Sequence, residues 1–314
     1  MSFSGNVKEE LSWQMPSARH CMLAEIAAIL SLCGRILITT ADRYSVKIQT
    51  ENIYVARKYF TLVKKALNIE AEITIRQNAY LKNSRTYTIT VNDNESAVRI
   101  LQAAKIMDSN YDICENMSVV SNVVIMNSCC KRAFLRGAFL ASGSISTPEK
   151  SYHFEIVCAT MEKARQLCGI IKYFEIDAKI VERKKHFVVY IKEGESIVDM
   201  LNIMEAHQSL MELENIRILK EMRNTVNRKV NCETANLNKT VSAAVKQIED
   251  INLIEKTVGI SSLPKPLQDM AYVRLENPDA SLKELGTLMS PQVGKSGVNH
   301  RLKKISEIAD GFRK

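Results

Sequence analysis

The residue types best suited to gripping a polyanion lie between Ser281 and Ile305, in the stretch SLKELGTLMSPQVGKSGVNHRLKKI. From about Lys295 the spacing predicts a helix with Val298, Leu302 and Ile305 on one face. At about 100° per residue, Ser296, His300 and Lys303 fall opposite that face, with Asn299 and Lys304 beside them. Short polar side chains at the N-terminal end suit base edges in the major groove, and cations further along suit phosphates. On this reading Lys295, Ser296, Asn299 and His300 meet base edges, and Arg301, Lys303 and Lys304 meet phosphates. Ser281, Lys283 and Gln292 complete the expected DNA-binding set.

A second, shorter helix must position this one. Ser281 followed by Glu284 has the spacing of a capping box, in which each side chain satisfies the other's free backbone N–H. Leu282, Leu285, Leu288 and Met289 follow on one helical face. Ser290, Pro291 and Gly294 then turn the chain. The pattern is that of a helix-turn-helix, and from Ser281 to the last residue seven Lys/Arg stand against three Asp/Glu. The competing reading is a solvated amphipathic helix pair.

The 314 residues suffice for two or three domains, and 46% hydrophobic with 25% charged residues is ordinary for a soluble protein. A net charge of +8 favours a polyanionic partner without deciding it. No apolar run is long enough to span a bilayer, and residues 1–14 lack the apolar core of a signal peptide. A cytoplasmic location is therefore expected. The eight cysteines show no C-x-x-C pairing and the five histidines no ligand spacing, so no metal or other cofactor is expected. The cysteines read as small buried apolar residues, with adjacent Cys129 and Cys130 as a redox alternative. No phosphate-binding glycine loop, H-E-x-x-H or G-x-S-x-G occurs.

The N-terminal two thirds read as a duplication. After a short helix with Val7, Leu11 and Trp13 as packing positions, a helix over residues 21–33 ends at Gly34. Two strands follow, RILITT and YSVKIQT, turning at Ala41-Asp42-Arg43. A helix over residues 52–68, strands AEITIRQ and RTYTITV joined near Lys82-Asn83-Ser84, and a helix from Glu95 complete an αββαββα unit. The same order returns in a helix over 128–142 ended by Gly143, a short strand near Ser144, SYHFEIVCAT, a helix over 161–174, DAKIVER, HFVVYIK and a helix from Ser196. The two terminating glycines are 143 − 34 = 109 residues apart. A helix over 208–230 then becomes basic, residues 231–238 read as a polar break, and a helix over 239–254 carries Val241, Val245, Ile248 and Ile251 on one face. With the helix beginning near Lys265, the C-terminal part is a bundle of about four helices.

The first helix of each repeat ends in a pattern that resembles the LAGLIDADG helix of homing endonucleases. The stretches are Ile26 to Gly34, IAAILSLCG, and Leu135 to Gly143, LRGAFLASG. The resemblance implies that these two helices pack together at the centre of a pseudo-dimer, with Ala27, Ala28, Gly137, Ala138 and Ala141 allowing close approach. It also implies that two four-stranded sheets form a saddle over the duplex. In the enzymes the residue before the final glycine is a carboxylate holding the catalytic metal. Here Cys33 and Ser142 stand in those places, and neither supplies the hard anionic oxygen that Mg²⁺ prefers.

A degenerate LAGLIDADG pair followed by a sigma-factor-like helix-turn-helix, joined by RNTVNR and NCETAN (residues 223–228 and 231–236), is similar to the WhiA family over nearly the whole chain. The fold class so implied is α+β: a duplicated αββαββα pseudo-dimer with antiparallel sheets, then an all-α helix-turn-helix bundle. The expected divisions are an N-terminal helix (1–20), repeat 1 (21–110), repeat 2 (111–222), a linker (223–237) and the DNA-binding domain (238–314). The resemblance implies a non-catalytic protein of cell division and chromosome segregation located on the nucleoid, acting as a transcriptional regulator or a nucleoid-associated factor, with double-stranded DNA as partner. It implies further regulatory or division proteins on the saddle, no membrane and no small-molecule substrate. Two alternatives stay open: an interaction adaptor on a dead endonuclease scaffold, and a metal-dependent nuclease using other acids such as Glu25 or Asp42.

Overall fold

The computed structural model describes residues 2–39, 43–77, 85–113 and 119–313. The expected turns at Ala41-Asp42 and at Lys82-Asn83-Ser84 lie outside them, as do Asp42 itself and Cys114. The chain divides into two units, Met1–Lys220 and Glu221–Lys314.

The N-terminal unit opens with α1 (Phe3–Trp13), capped by the Ser2 side chain, which accepts from Gly5 N. The duplication follows. Repeat 1 comprises α2 (Arg19–Cys33), β1 (Gly34–Ile38), β2 (Tyr44–Thr50), α3 (Ile53–Leu67), β3 (Glu72–Gln77), β4 (Arg85–Val91) and α4 (Asn94–Ala103). Repeat 2 comprises α5 (Ser128–Ser142), β5 (Gly143–Ile145), β6 (Phe154–Cys158), α6 (Met161–Lys172), β7 (Lys179–Arg183), β8 (His186–Ile191) and α7 (Gly194–Met204). Both sheets are antiparallel and share one strand order, β1-β2-β4-β3 and β5-β6-β8-β7. The α+β duplication is therefore as expected. Alternation buries Val46, Ile48, Ile89 and Val91 in one sheet and Phe154, Ile156, Val189 and Ile191 in the other, each against its helices.

At the centre α2 packs along α5. Ala27, Ala28 and Ala138 are fully buried there, while Ala141 is half-buried. A methyl group on Gly137 would lie 2.7 Å from Glu25 O and 3.0 Å from Ala28 Cβ, so the helix backbones meet where only glycine fits. Trp13 departs from the expected packing role. It is 67% exposed at the end of α1, with the Arg57 guanidinium 3.7 Å above its ring.

The last elements are α8 (His207–Thr257), α9 (Lys265–Glu276), α10 (Leu282–Leu288) and α11 (Lys295–Phe312). The expected polar break at residues 231–238 is instead helical within α8. The reason is local: the polar residues there each cost at most about 0.7 kcal/mol relative to alanine, and α8 contains neither glycine nor proline. The face expected from Val241 and Val245 is also corrected. Both are exposed, whereas Ile251 is buried as expected, Ile248 is half-buried, and Ala244 and Ile254 join the buried side. Leu288, expected inward, is 52% exposed, while Met289 just beyond the helix end is buried. Of the cysteines expected to be buried, Cys129 and Cys232 are exposed. No helix among the described residues is long and apolar enough to cross a membrane.

Candidate nucleic-acid interface

The helix-turn-helix is built on a separate core. Ile251, Ile254, Leu267, Met270, Leu285, Met289, Val298, Leu302, Ile305 and Ala309 pack together. The capping box is complete: Ser281 N donates to Glu284 Oε2 at 2.7 Å, and Ser281 Oγ accepts from Glu284 N at 3.3 Å. That backbone donor holds the Glu284 carboxylate below its usual range. The turn folds back so closely that Val293 N donates to Gly286 O at 3.0 Å. A methyl on Gly286 would lie 2.1 Å from Val293 O. Arg274, buried, donates to Ala280 O at 2.6 Å and fixes the approach to α10. At the far end Arg313 pairs with fully buried Asp250 at 2.6 Å.

This frame puts Val298, Leu302, Ile305 and Ala309 inward and leaves the other side of α11 open. Ser296, Asn299, His300, Lys303 and Lys304 are exposed there, as is Lys295 at the helix start, whereas Arg301 is half-buried on the opposite flank. Gln292 is exposed in the turn. Ser281, Lys283, Lys295 and Asn299 come together around one depression of about 420 Å³, which Lys239 and Arg274 also line. Ser296, His300 and Lys303 are not part of it and continue the surface along α11. Lys303 is 3.9 Å from Glu307, a loose surface pair. Among the described residues Lys283, Lys295 and Lys304 take part in no ion pair, so their charge is free for phosphate. Lys239, which lines the depression, had no motif to mark it in the sequence.

In the N-terminal unit the two former acid positions stand at the C-terminal ends of α2 and α5. Cys33 Sγ donates to Ile29 O at 3.2 Å, and burial pushes its thiol up to about 12. Lys8 of α1 acts electrostatically on that thiol and lies over the Phe139 ring at 5.7 Å. Burial lowers its own pKa to about 8. A cation thus sits where a metal-holding site needs anions. Glu25 offers no substitute. It is fully buried, with Lys58 at 3.2 Å and Arg136 at 3.3 Å, and Arg136 also donates to Glu205 at 2.6 Å. Burial pushes the Glu25 carboxyl up against the pull of both cations.

The outward faces of the two sheets differ. Strand register puts Arg35, Lys47, Thr88, Thr90, Thr74 and Arg76 on one face of the first sheet, a polar surface with a surplus of cations. The corresponding face of the second sheet carries half-buried Val157 and Val181 and buried Val188 among Lys179, Arg183, His186 and Tyr190, with Glu155 drawing in His153 at 3.1 Å and Arg183 at 3.8 Å. Sequence reading passed over the first face because its cations alternate with buried residues and never form a run. It also read Cys21, Cys129 and Cys130 as small buried residues, with the latter two as a redox alternative, and left His20 aside, yet the ligand atoms of all four lie within 4.8 Å of one another.

Three family descriptions match this chain. The description "WhiA N-terminal LAGLIDADG-like domain" matches residues 19–107, "WhiA LAGLIDADG-like domain" residues 131–223, and "WhiA C-terminal HTH domain" residues 226–309. A relative from Lachnoclostridium phytofermentans, named "Probable cell division protein WhiA", is 56% identical over 313 residues, covering 100% of both chains. One of the same name from Alkaliphilus oremlandii is 49% identical over 98% of this chain and 97% of its own. The crystal structure of full-length DUF199/WhiA from Thermatoga maritima superposes with a TM-score of 0.61 at 27% identity, covering 99% of this chain and 98% of that one.

Proposed function

This chain belongs to the WhiA family, and on that footing we propose that it is a non-catalytic, sequence-specific binder of double-stranded DNA that acts in cell division. Its finer role is control of transcription, coupled to chromosome segregation, in the cytoplasm on the nucleoid. One observation carries the reading: α11 exposes Ser296, Asn299, His300, Lys303 and Lys304 in a continuous face beside a cationic depression, on a core that buries the other side. Short polar groups precede long cations along that face, as a groove-reading helix requires. The absence of catalysis is supported by Cys33 and Ser142 at the acid positions, by Lys8 beside Cys33, and by the burial of Glu25.

The test is fluorescence anisotropy of the full chain on duplex DNA across a salt series, with plasmid nicking in Mg²⁺ run in parallel. Expected are a linear fall of log affinity with log salt and no nicking. No binding at low salt overturns the DNA reading, and metal-dependent nicking overturns the non-catalytic one.

A further inference from the structure

We propose that His20, Cys21, Cys129 and Cys130 form a four-ligand site for a thiophilic divalent metal ion, zinc above all, which clamps the two repeats together. Their four ligand atoms lie within 4.8 Å of one another. His20 Nδ1 is 3.2 Å from Cys130 Sγ and 3.4 Å from Cys21 Sγ. A zinc tetrahedron with bonds of about 2.3 Å to sulfur and about 2.0 Å to nitrogen has edges of about 3.5–3.8 Å. The side chains therefore need to move by no more than about an ångström to close on an ion.

The placement is not a chance meeting of thiols. His20 and Cys21 are the second and third residues of α2, and Cys129 and Cys130 are the second and third residues of α5. The interval of 109 residues that relates Gly34 to Gly143 also relates His20 to Cys129 and Cys21 to Cys130. The four donors are thus two symmetry-related pairs, brought face to face by the axis that pairs the helices. The helices are held rigidly, since Gly137 leaves no room between them.

The donor set selects the ion. Three sulfurs and an imidazole suit zinc and not magnesium, calcium or manganese. Three thiolates around a divalent ion leave one net negative charge, and Arg132 lines the open depression that contains His20, Cys21 and Cys129, where Arg136 is already paired with Glu25 and Glu205. Cys21 and Cys130 are buried, whereas His20 and Cys129 are exposed, which provides both a closed side and an entry path. The site is also distinct from the position where the endonucleases hold their metal. Cys33 and Ser142 lie at the opposite ends of the same 15-residue helices, about 20 Å away at 1.5 Å per residue. Four protein ligands leave no open coordination position, so the ion is structural and not catalytic.

The test uses the full chain, purified under reducing conditions, stripped of metal and titrated with zinc, with bound metal measured by mass spectrometry. Replacement by Co²⁺ gives an independent readout: ligand-field absorption of tetrahedral cobalt together with thiolate-to-cobalt charge transfer. Expected are one equivalent per chain and both absorptions in the parent. Cys129→Ser, at an exposed position, should lose the equivalent, whereas Cys232→Ser, equally exposed but remote in sequence, should keep it. Far-ultraviolet dichroism checks that each variant is folded. Absence of thiolate-to-cobalt charge transfer in the parent overturns the proposal, as does an equivalent retained by Cys129→Ser. A disulfide among these cysteines that forms in air, with no metal uptake after its reduction, overturns it in favour of a redox pair.

Discussion

Lys8 and Asn299 stand at the two sites on which the proposed function turns. Burial lowers the Lys8 ammonium from 10.5 to about 8. Below pH 8 the group is charged in both the folded and unfolded states, and the folded state bears the full desolvation cost. Between pH 8 and 10.5 only the folded state sheds the proton, so stability rises with pH; above 10.5 the cost is gone. Lys8→Met should therefore stabilise the chain at pH 7 by about 2 kcal/mol, and the gain should fade between pH 8 and 10.5. Urea denaturation across that window checks it, and a gain independent of pH would refute the cause. On α11 the expected effects separate by role. Asn299→Ala should cost about 1–3 kcal/mol on the preferred site and little elsewhere. Lys303→Ala should weaken all sequences alike and flatten the salt slope by about 0.9. Anisotropy on matched and scrambled duplexes distinguishes them, and an unchanged slope for Lys303→Ala would remove its phosphate role. Asn299 was legible because a helical period sorts polar from apolar residues. Lys8 was not, since nothing in α1 says which distant thiol it will face.

At the scale of elements, the helix-turn-helix depends on one contact more than on its apolar face. Gly286 sits on α10 where the turn returns, and any side chain there meets the Val293 carbonyl. Gly286→Ala should destabilise the C-terminal unit by about 1–3 kcal/mol through overpacking, although alanine is the better helix former. Ser281→Ala, removing the capping box, should cost about 1 kcal/mol. Thermal melts of the two variants would show the larger drop for Gly286→Ala; the reverse order would mean that the turn relaxes freely. The repeats, their strand order and their glycine-ended helices could be read from the sequence, because alternation and helical spacing are local signals. Two kinds of feature could not. Residues 231–238 look like a break because they are polar, yet polarity without glycine or proline does not stop a helix already nucleated on either side. The His20–Cys130 cluster is invisible to ligand spacing because each helix supplies adjacent residues, and only the 109-residue repeat brings them together.

For the molecule as a whole, the two separate cores have a thermodynamic consequence. Glu25, Lys58 and Arg136 lie in the first, and Leu285, Val298 and Leu302 in the second. Removing the charge of Glu25 leaves two buried cations with half their compensation, so Glu25→Gln should cost the N-terminal unit about 3–5 kcal/mol. Calorimetry of the full chain should then resolve two transitions. Glu25→Gln should lower one, and Gly286→Ala the other. Duplex DNA at about a hundred times its dissociation constant should stabilise the unit that binds it by about 2.7 kcal/mol. If α11 is the reader, DNA raises the transition that Gly286→Ala lowers and leaves the Glu25→Gln transition in place. If DNA raises the Glu25→Gln transition instead, the cationic face of the first sheet, with Arg35, Lys47 and Arg76, is the principal binding surface. The charge pattern favours the first outcome. The free lysines of the helix-turn-helix surround polar groups able to read bases, whereas the sheet's cations stand among threonines whose hydroxyls discriminate bases weakly.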